Sequence, residues 1–145
     1  MSDKRMPSRR SQYSHFSSMP TRWADNDSYR HVNNVVYYSF FDTAVNRHLI
    51  ERGVLDTSSS PVIGLVIETR CTYFSSMRFP DTVYAGMKVV HLGTSSVRYE
   101  IALFRNDSDE ASAVGDFVHV YVDRTTNRPV PIPNDVRAVL ESLAA

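Results

Sequence analysis

Residues 25–53 read DNDSYRHVNNVVYYSFFDTAVNRHLIERG, and the architecture follows from them. After a polar loop, apolar residues recur at the i, i+3, i+4 spacing of a helix over residues 33–52. Asn33 or Asn34 can cap the first turn by accepting from a free backbone N–H, and Gly53 suits the left-handed position after the last turn. The first half of this helix is apolar on nearly every side, which predicts a buried helix rather than a surface one.

Four strand-like segments follow the helix, at about residues 62–74, 81–92, 95–106 and 111–123. Alternation of apolar and polar residues is clear in three of them. In the first segment we expect one face to carry Leu65, Ile67, Thr69, Cys71 and Tyr73. Residues 16–24 can begin as a strand, with Pro20 suited to a sheet edge, and residues 134–143 form a short helix. This order predicts an α+β fold, with an antiparallel sheet of about five strands around the long central helix.

The composition narrows the classes of protein that this chain can belong to. It has 145 residues and a formal net charge of zero, which argues against a nucleic-acid-binding protein with a basic face. Cys71 stands alone, so neither an internal disulfide nor a cysteine-rich zinc site is expected, and a cytoplasmic location is predicted. Residues 1–14 are polar and lack the apolar core of a secretory signal. We expect them to form a disordered tail, followed by a single domain over residues 15–145.

Residues 22–42 resemble the 4-hydroxybenzoyl-CoA thioesterase family of hotdog proteins. The family pattern is an aromatic residue, Asp-x-Asp, a histidine, Val-Asn-Asn and a helix tyrosine. It corresponds here to Trp23, Asp25, Asp27, His31, Val32, Asn33, Asn34 and Tyr38. The similarity continues through the four strands, over about residues 16–143. It implies a hotdog fold, an acyl-CoA substrate, and a homodimer or homotetramer (a dimer of dimers) with active sites at the dimer interface.

Asp27 is the usual catalytic carboxylate by this resemblance. A carboxylate can attack a thioester carbonyl directly, forming an anhydride, or activate a water molecule as a general base. The helix N-terminus offers free N–H groups near residues 32–35, and these can polarise the carbonyl. Asp25 is expected to accept backbone hydrogen bonds within the loop. No metal or organic cofactor is needed, because coenzyme A is part of the substrate.

Other residues around Asp27 admit two interpretations each. His31 can orient Asp27 or donate to the substrate, or serve as a structural histidine. Asn33 can assist catalysis or cap the helix. Tyr38 can contact the substrate or fill the core. Tyr29, Arg30 and Val32 complete the expected substrate-binding residues.

Arg30 departs from the family pattern, which has glycine before the histidine. Glycine permits a positive φ angle, which arginine tolerates poorly. Arg30 can point to solvent with an ordinary backbone, reach the phosphates of coenzyme A, or crowd the site; we favour the first. The departure also favours a second hypothesis, a hotdog protein that binds acyl groups or other proteins without hydrolysis. A hotdog dehydratase is disfavoured by Asp-x-Asp before the helix, and neither nucleic acid nor a membrane is an expected partner.

Overall fold

The computed structural model describes residues 5–144, and they form one antiparallel sheet with a long helix on one face. The elements in chain order are β1 (His15–Pro20), α1 (Asn34–Glu51), β2 (Val62–Tyr73), β3 (Thr82–Leu92), β4 (Ser96–Arg105), β5 (Ala113–Asp123) and α2 (Asn134–Glu141). The strand order across the sheet is β1-β3-β4-β5-β2, so β1 and β2 are the two edges. The prediction of a five-stranded hotdog fold around a long helix is confirmed.

Helix α1 begins and ends where the local sequence predicts. The Asn33 side chain accepts from the backbone N–H of Val35 at 3.0 Å, and Gly53 has a φ of 75°. Phe41 is fully buried against β5, where a Cβ added to Gly115 would overlap the phenylalanine ring. Gly115 therefore allows α1 to lie close to strand β5.

One side of α1 remains open in the single chain, so the prediction of a helix buried all round is wrong here. The sheet covers only the side that carries Tyr37, Phe40, Phe41, Ala44, Val45, His48 and Leu49. Val35 keeps 67% of its surface exposed and Tyr38 keeps 38%. An apolar helix surface of this kind is more typical of an interface than of a surface facing water.

Strand β2 is a long edge strand that is irregular in its middle. The pairing with β5 shifts register between Val66 and Glu68, so Ile67 forms a bulge. Leu65 pairs with Val120, whereas Cys71 pairs with Gly115, which lies on the opposite face of the regular strand β5. Because paired residues share a face, Leu65 and Cys71 lie on opposite faces, and the predicted single face from Leu65 to Tyr73 is wrong.

The N-terminal segment packs on the outer face of the sheet. Tyr13 is buried beside Phe104 and donates to the Glu100 carboxylate at 2.6 Å. Arg5 pairs with Glu100 at 3.3 Å and with Asp116 at 3.0 Å. The prediction of a disordered tail is therefore wrong for residues 5–14, because the outer face has apolar side chains that need cover. Residues 1–4 of the predicted tail lie outside the described residues.

Two further features concern only the described part of the chain, residues 5–144. None of its helices is both long and apolar enough to cross a membrane. None of its histidine, cysteine and acidic side chains form a group of three that could hold a metal ion.

Candidate active site

The loop before α1 is held in place by Asp25. This carboxylate is 2% exposed and accepts from the backbone N–H of Arg22 at 2.7 Å and from its guanidinium at 2.9 Å. The Asp25 carbonyl accepts from the Asn33 backbone N–H at 2.8 Å. Asp25 thus makes the backbone hydrogen bonds expected for the loop, and it connects both ends of the segment that contains Asp27.

Asp27 is oriented by backbone groups. Its Oδ1 atom accepts from the N–H of Tyr29 at 2.8 Å and from the N–H of His31 at 3.3 Å. The Asp27 N–H in turn donates to the His31 carbonyl at 2.8 Å. Within the described residues Oδ2 has no hydrogen-bond donor. The carboxylate therefore has one anchored oxygen and one oxygen available to a reacting group.

His31 holds Asp27 through its main chain and not through its ring. Both of its hydrogen bonds to Asp27 use the backbone N–H and carbonyl, and its side chain is exposed. The imidazole is thus available to a substrate, which leaves open the interpretation of His31 as a donor.

The first turn of α1 leaves one backbone donor without a partner among the described residues. Val32 N–H donates to the Met77 carbonyl at 2.8 Å, Asn33 N–H to Asp25, and Val35 N–H to the Asn33 side chain. Of the N–H groups at residues 32–35, only that of Asn34 makes no hydrogen bond here. Asn33 acts as the helix cap, which was one of its two interpretations.

A surface groove of about 360 Å³ lies at this end of the helix. Its lining comes from the loop, from the first turns of α1 and from the segment after β2: Asp27, His31, Val32, Asn34, Tyr37, Tyr73, Phe74, Ser75 and Ser76. The Tyr73 hydroxyl donates to the Asn34 carbonyl at 2.9 Å, and burial raises the pKa of Tyr73 above its usual value. Tyr73 therefore remains protonated at neutral pH and joins β2 to the start of the helix.

The groove gathers some of the predicted site residues and leaves others outside. Asp27, His31 and Val32 line it. Tyr29, at 80% exposure, and Arg30 lie on the outside of the loop, and Tyr38 is half-exposed beyond the groove. Four further residues line the groove: Tyr37, Tyr73, Ser75 and Ser76. Of these, the sequence pointed only to Tyr37, as a helix aromatic that can line an acyl pocket or fill the core. Two aromatic residues at the end of a strand, Tyr73 and Phe74, followed by two serines, were the available signal for the last three.

Arg30 combines an exposed side chain with an unusual backbone. Its φ angle is 64°, in the left-handed region that glycine favours. The preferred interpretation is therefore right about the side chain and wrong about the backbone. The loop keeps the conformation that a glycine would have allowed, and Arg30 does not line the groove.

Comparisons with known proteins fit this geometry. A family model described as the thioesterase-like superfamily matches residues 21–140. The PA5185 protein of Pseudomonas aeruginosa is 52% identical and superposes with a TM-score of 0.94 over 96% of this chain and 97% of its own. The PA2801 protein of the same organism, a candidate thioesterase, is 30% identical, with a TM-score of 0.81 over 87% of this chain and 97% of its own.

A third solved structure shares the fold alone. Slr0204 of Synechocystis, a 1,4-dihydroxy-2-naphthoyl-CoA thioesterase, is 12% identical, with a TM-score of 0.80 over 88% of this chain and 96% of its own. A comparison with curated protein sequences finds no match.

Proposed function

Because the chain belongs to the thioesterase-like superfamily, we propose that it hydrolyses acyl-CoA thioesters with Asp27 as the catalytic carboxylate. The observation that carries this proposal is the orientation of Asp27. Two backbone N–H groups hold Oδ1, and Oδ2 is left for chemistry beside the start of α1. A carboxylate held in this way needs little rearrangement to reach a bound thioester.

Asp27 can act by either of two routes, and both use Oδ2. As a general base it takes a proton from water while the water oxygen attacks the thioester carbonyl. As a nucleophile it attacks the carbonyl itself, and water then hydrolyses the resulting anhydride. In both routes the C–S bond breaks, and the sulfur leaves as a thiolate that takes up a proton. The exposed ring of His31 is a suitable donor for that proton.

The Asn34 backbone N–H is the group we assign to the developing oxyanion. It is unpartnered within the described residues, and it lies at the positive end of an 18-residue helix. One such donor contributes on the order of 3 kcal/mol to lowering the barrier. Because the donor belongs to the backbone, no side-chain substitution removes it directly.

Coenzyme A thioesters are the substrate class we propose. PA2801, at 30% identity, is a candidate thioesterase. The finer resemblance to 4-hydroxybenzoyl-CoA thioesterases rests on the residues between Trp23 and Tyr38. We therefore include aromatic acyl groups among the substrates to be tested.

We also propose that the chain forms a homodimer through the edge of β2. This twelve-residue strand has an unpaired side, and Leu65, Val66 and Ile67 in its middle are 40–62% exposed. A long apolar edge pairs readily with another strand. A second copy, related by a two-fold axis at the middle of β2, would cover it from end to end. Assembly into a dimer of dimers stays a prediction from the resemblance.

The test of hydrolysis is release of free thiol from a panel of short, medium and aromatic acyl-CoAs. The wild type is compared with Asp27→Asn and with Asp107→Asn, a control that changes an exposed aspartate in a distant turn. We expect Asp27→Asn to lower kcat/KM at least 100-fold, while Asp107→Asn stays within twofold of wild type. Equal rates for all three proteins would remove Asp27 from the mechanism. A wild type that turns over no acyl-CoA would instead favour acyl binding without hydrolysis.

A further inference from the structure

The segment between β2 and β3 makes two hydrogen bonds to the loop that carries Asp27. The Phe79 N–H donates to the side chain of Asn26 at 3.1 Å. The Met77 carbonyl accepts from the Val32 N–H at 2.8 Å. Asn26 directly precedes Asp27, and Val32 follows it by five residues. One short segment therefore supports the loop on both sides of the carboxylate.

Asp81 closes this segment where it enters β3. Its Oδ2 atom accepts from the Arg78 N–H at 2.9 Å, and its own N–H donates to the Arg78 carbonyl at 2.8 Å. The Asp81 carbonyl accepts from the N–H of Thr21, the residue after β1, at 3.1 Å. The residue is 7% exposed. Asp81 thus fixes the turn of residues 78–81 with both its main chain and its side chain.

The same carboxylate is anchored to the sheet at the end of β4. Its Oδ1 atom accepts from the Asn106 side-chain N–H at 3.0 Å, and Arg105 Nε forms an ion pair with Oδ2 at 2.7 Å. The Asn106 Oδ1 atom accepts from the Thr82 N–H at 2.9 Å, and the Asn106 N–H donates to the Thr82 carbonyl at 2.9 Å. Asp81 therefore connects a loop to β3 and β4, two strands that pair with each other inside the sheet.

The Asp81 side chain is charged at neutral pH. Burial opposes the charged form, but hydrogen bonds from Arg78 and Asn106 and the nearby Arg105 guanidinium hold the pKa of Asp81 below its usual value. Both carboxylate oxygens have a hydrogen-bond donor. Hydrogen bonds to a charged group are roughly twice as strong as neutral ones, so this carboxylate holds the turn firmly.

We propose that Asp81 is a positioning residue for the reaction, which places Asp27 by fixing the segment that supports Asn26 and Val32. This inference rests on the proposed function. Asp81 lies outside the groove, so it does not touch a substrate there. A displacement of about 1 Å in a reacting group can cost on the order of 100-fold in rate. A looser anchor should therefore lower kcat in a folded protein and leave KM nearly unchanged, because the side chains that line the groove are all retained.

The first test removes the anchor on the side of the sheet. Asn106→Gly deletes the side chain that donates to Asp81, and glycine adopts the φ of 49° without strain. Asn127→Gly is its matched control, because Asn127 also has a positive φ, 59°, in an exposed turn after β5. On the acyl-CoA that the wild type hydrolyses fastest, we expect Asn106→Gly to lower kcat at least fivefold, with KM within twofold. Asn127→Gly should leave both constants within twofold.

The second test reverses the pair between positions 81 and 106. In Asp81→Asn, either orientation of the new amide sets one donor against another, because Arg78 and Asn106 both donate to this side chain. We expect kcat to fall at least tenfold. Adding Asn106→Asp gives the amide at position 81 an acceptor again, and aspartate tolerates the left-handed backbone better than most residues. The double variant should recover kcat to within about threefold of wild type.

Asp123→Asn controls for the loss of an aspartate that caps a turn. Asp123 accepts from the N–H groups of Thr125 and Thr126 at 2.9 and 3.0 Å. With every protein assayed well below its unfolding temperature, the kcat of Asp123→Asn should stay within twofold of wild type. An equal loss of kcat in Asp81→Asn and Asp123→Asn would overturn the positioning role. A double variant that regains wild-type thermal stability without regaining kcat would overturn it as well.

The outcome for Asp81 can be told apart from the outcome for Asp27. If Asp81→Asn does not fold, Asn106→Gly decides alone, and an unchanged kcat in that variant overturns the proposal. If Asp27→Asn lowers kcat/KM while Asp81→Asn and Asn106→Gly keep the wild-type kcat, only the positioning role fails. If Asp27→Asn keeps the wild-type rate, the proposed function fails, and the positioning of Asp27 by Asp81 fails with it.

Discussion

The Oδ1 atom of Asp27 lies 2.8 Å from the backbone nitrogen of Tyr29, so the loop itself orients the carboxylate. An asparagine at position 27 keeps an acceptor oxygen for this bond, whereas alanine removes it. We therefore expect the free energy of unfolding of Asp27→Asn to lie within about 0.5 kcal/mol of the wild-type value. That of Asp27→Ala should be lower by about 1–2 kcal/mol. Chemical denaturation of both variants measures the difference. Equal stability of the alanine variant and the wild type would show that the loop does not depend on this carboxylate.

Arg30 has a left-handed backbone without being glycine. Its φ of 64° costs an ordinary residue about 1–2 kcal/mol, part of which glycine recovers despite its greater freedom in the unfolded chain. Arg30→Gly should therefore raise the free energy of unfolding by up to about 1 kcal/mol, and Arg30→Val should lower it by at least that much. Thermal denaturation of the three proteins checks the order. Because the side chain lies outside the groove, kcat/KM of Arg30→Gly should stay within about twofold of wild type.

Asn33 caps α1 by accepting from the Val35 N–H at 3.0 Å. Asn33→Ala removes this acceptor and should cost about 1 kcal/mol in unfolding free energy, whereas Asn33→Asp or Asn33→Ser should keep most of it. The same substitutions separate the two interpretations of Asn33. If it only caps the helix, activity should follow stability, and the serine variant should be active. A serine variant that is stable and inactive would instead indicate a direct contact with the substrate.

The absence of a side chain at Gly115 leaves room for the Phe41 ring against the sheet. A methyl group at position 115 would overlap that ring, which is fully buried and cannot move away easily. We expect Gly115→Ala to destabilise the protein by about 2 kcal/mol or more, within the range for overpacked cores. Gly53→Ala provides a contrast, because its strain comes from a φ of 75° and not from a contact. The double variant Gly115→Ala with Phe41→Leu should recover part of the loss if the ring is the cause.

Two buried histidines make stability depend on pH. Burial is the main reason that the pKa of His119 and the pKa of His48 are each lowered to about 4, and His15 lowers that of His48 further. As the pH falls, both histidines of the unfolded chain take up a proton near pH 6.5, whereas those of the folded protein do so only near pH 4. Stability should therefore be constant above about pH 6.5 and fall between about pH 6.5 and 4, by about 1.4 kcal/mol per pH unit for each histidine.

Urea denaturation at pH 7.5 and at pH 5 measures this slope. His119→Gln should reduce it by about half, because one of the two buried histidines is gone. His91→Gln changes an exposed histidine and should leave the slope as it is in the wild type. A flat profile in the wild type would show that neither His48 nor His119 is kept neutral by burial.

Much of the local structure was predictable from neighbouring residues alone. The helix starts at Asn34 after its Asn33 cap and ends before Gly53, and the four later strands begin and end within about two residues of the predicted positions. Hydrophobic period, capping and turn residues act over a few positions, so a single chain segment contains the information. The order of Asp25, Asp27 and His31 also placed the candidate chemistry at the start of α1.

Features formed by two segments that are distant in the sequence could not be predicted locally, because they depend on long-range strand pairing and packing. No local pattern shows that β2 pairs with β5 and becomes an edge, or that a bulge at Ile67 moves Leu65 to the other face. Residues 5–14 pack on an outer face that exists only once the sheet has formed.

Residues 25–53 thus indicate the fold and the helix, while residues from strands that follow in the sequence complete the site. Tyr73 joins Asp27 in the groove because strands far apart in the sequence align beside the helix. Hydrogen bonding along strands and burial of apolar faces depend on the whole chain, and the periodicity of one segment cannot report them.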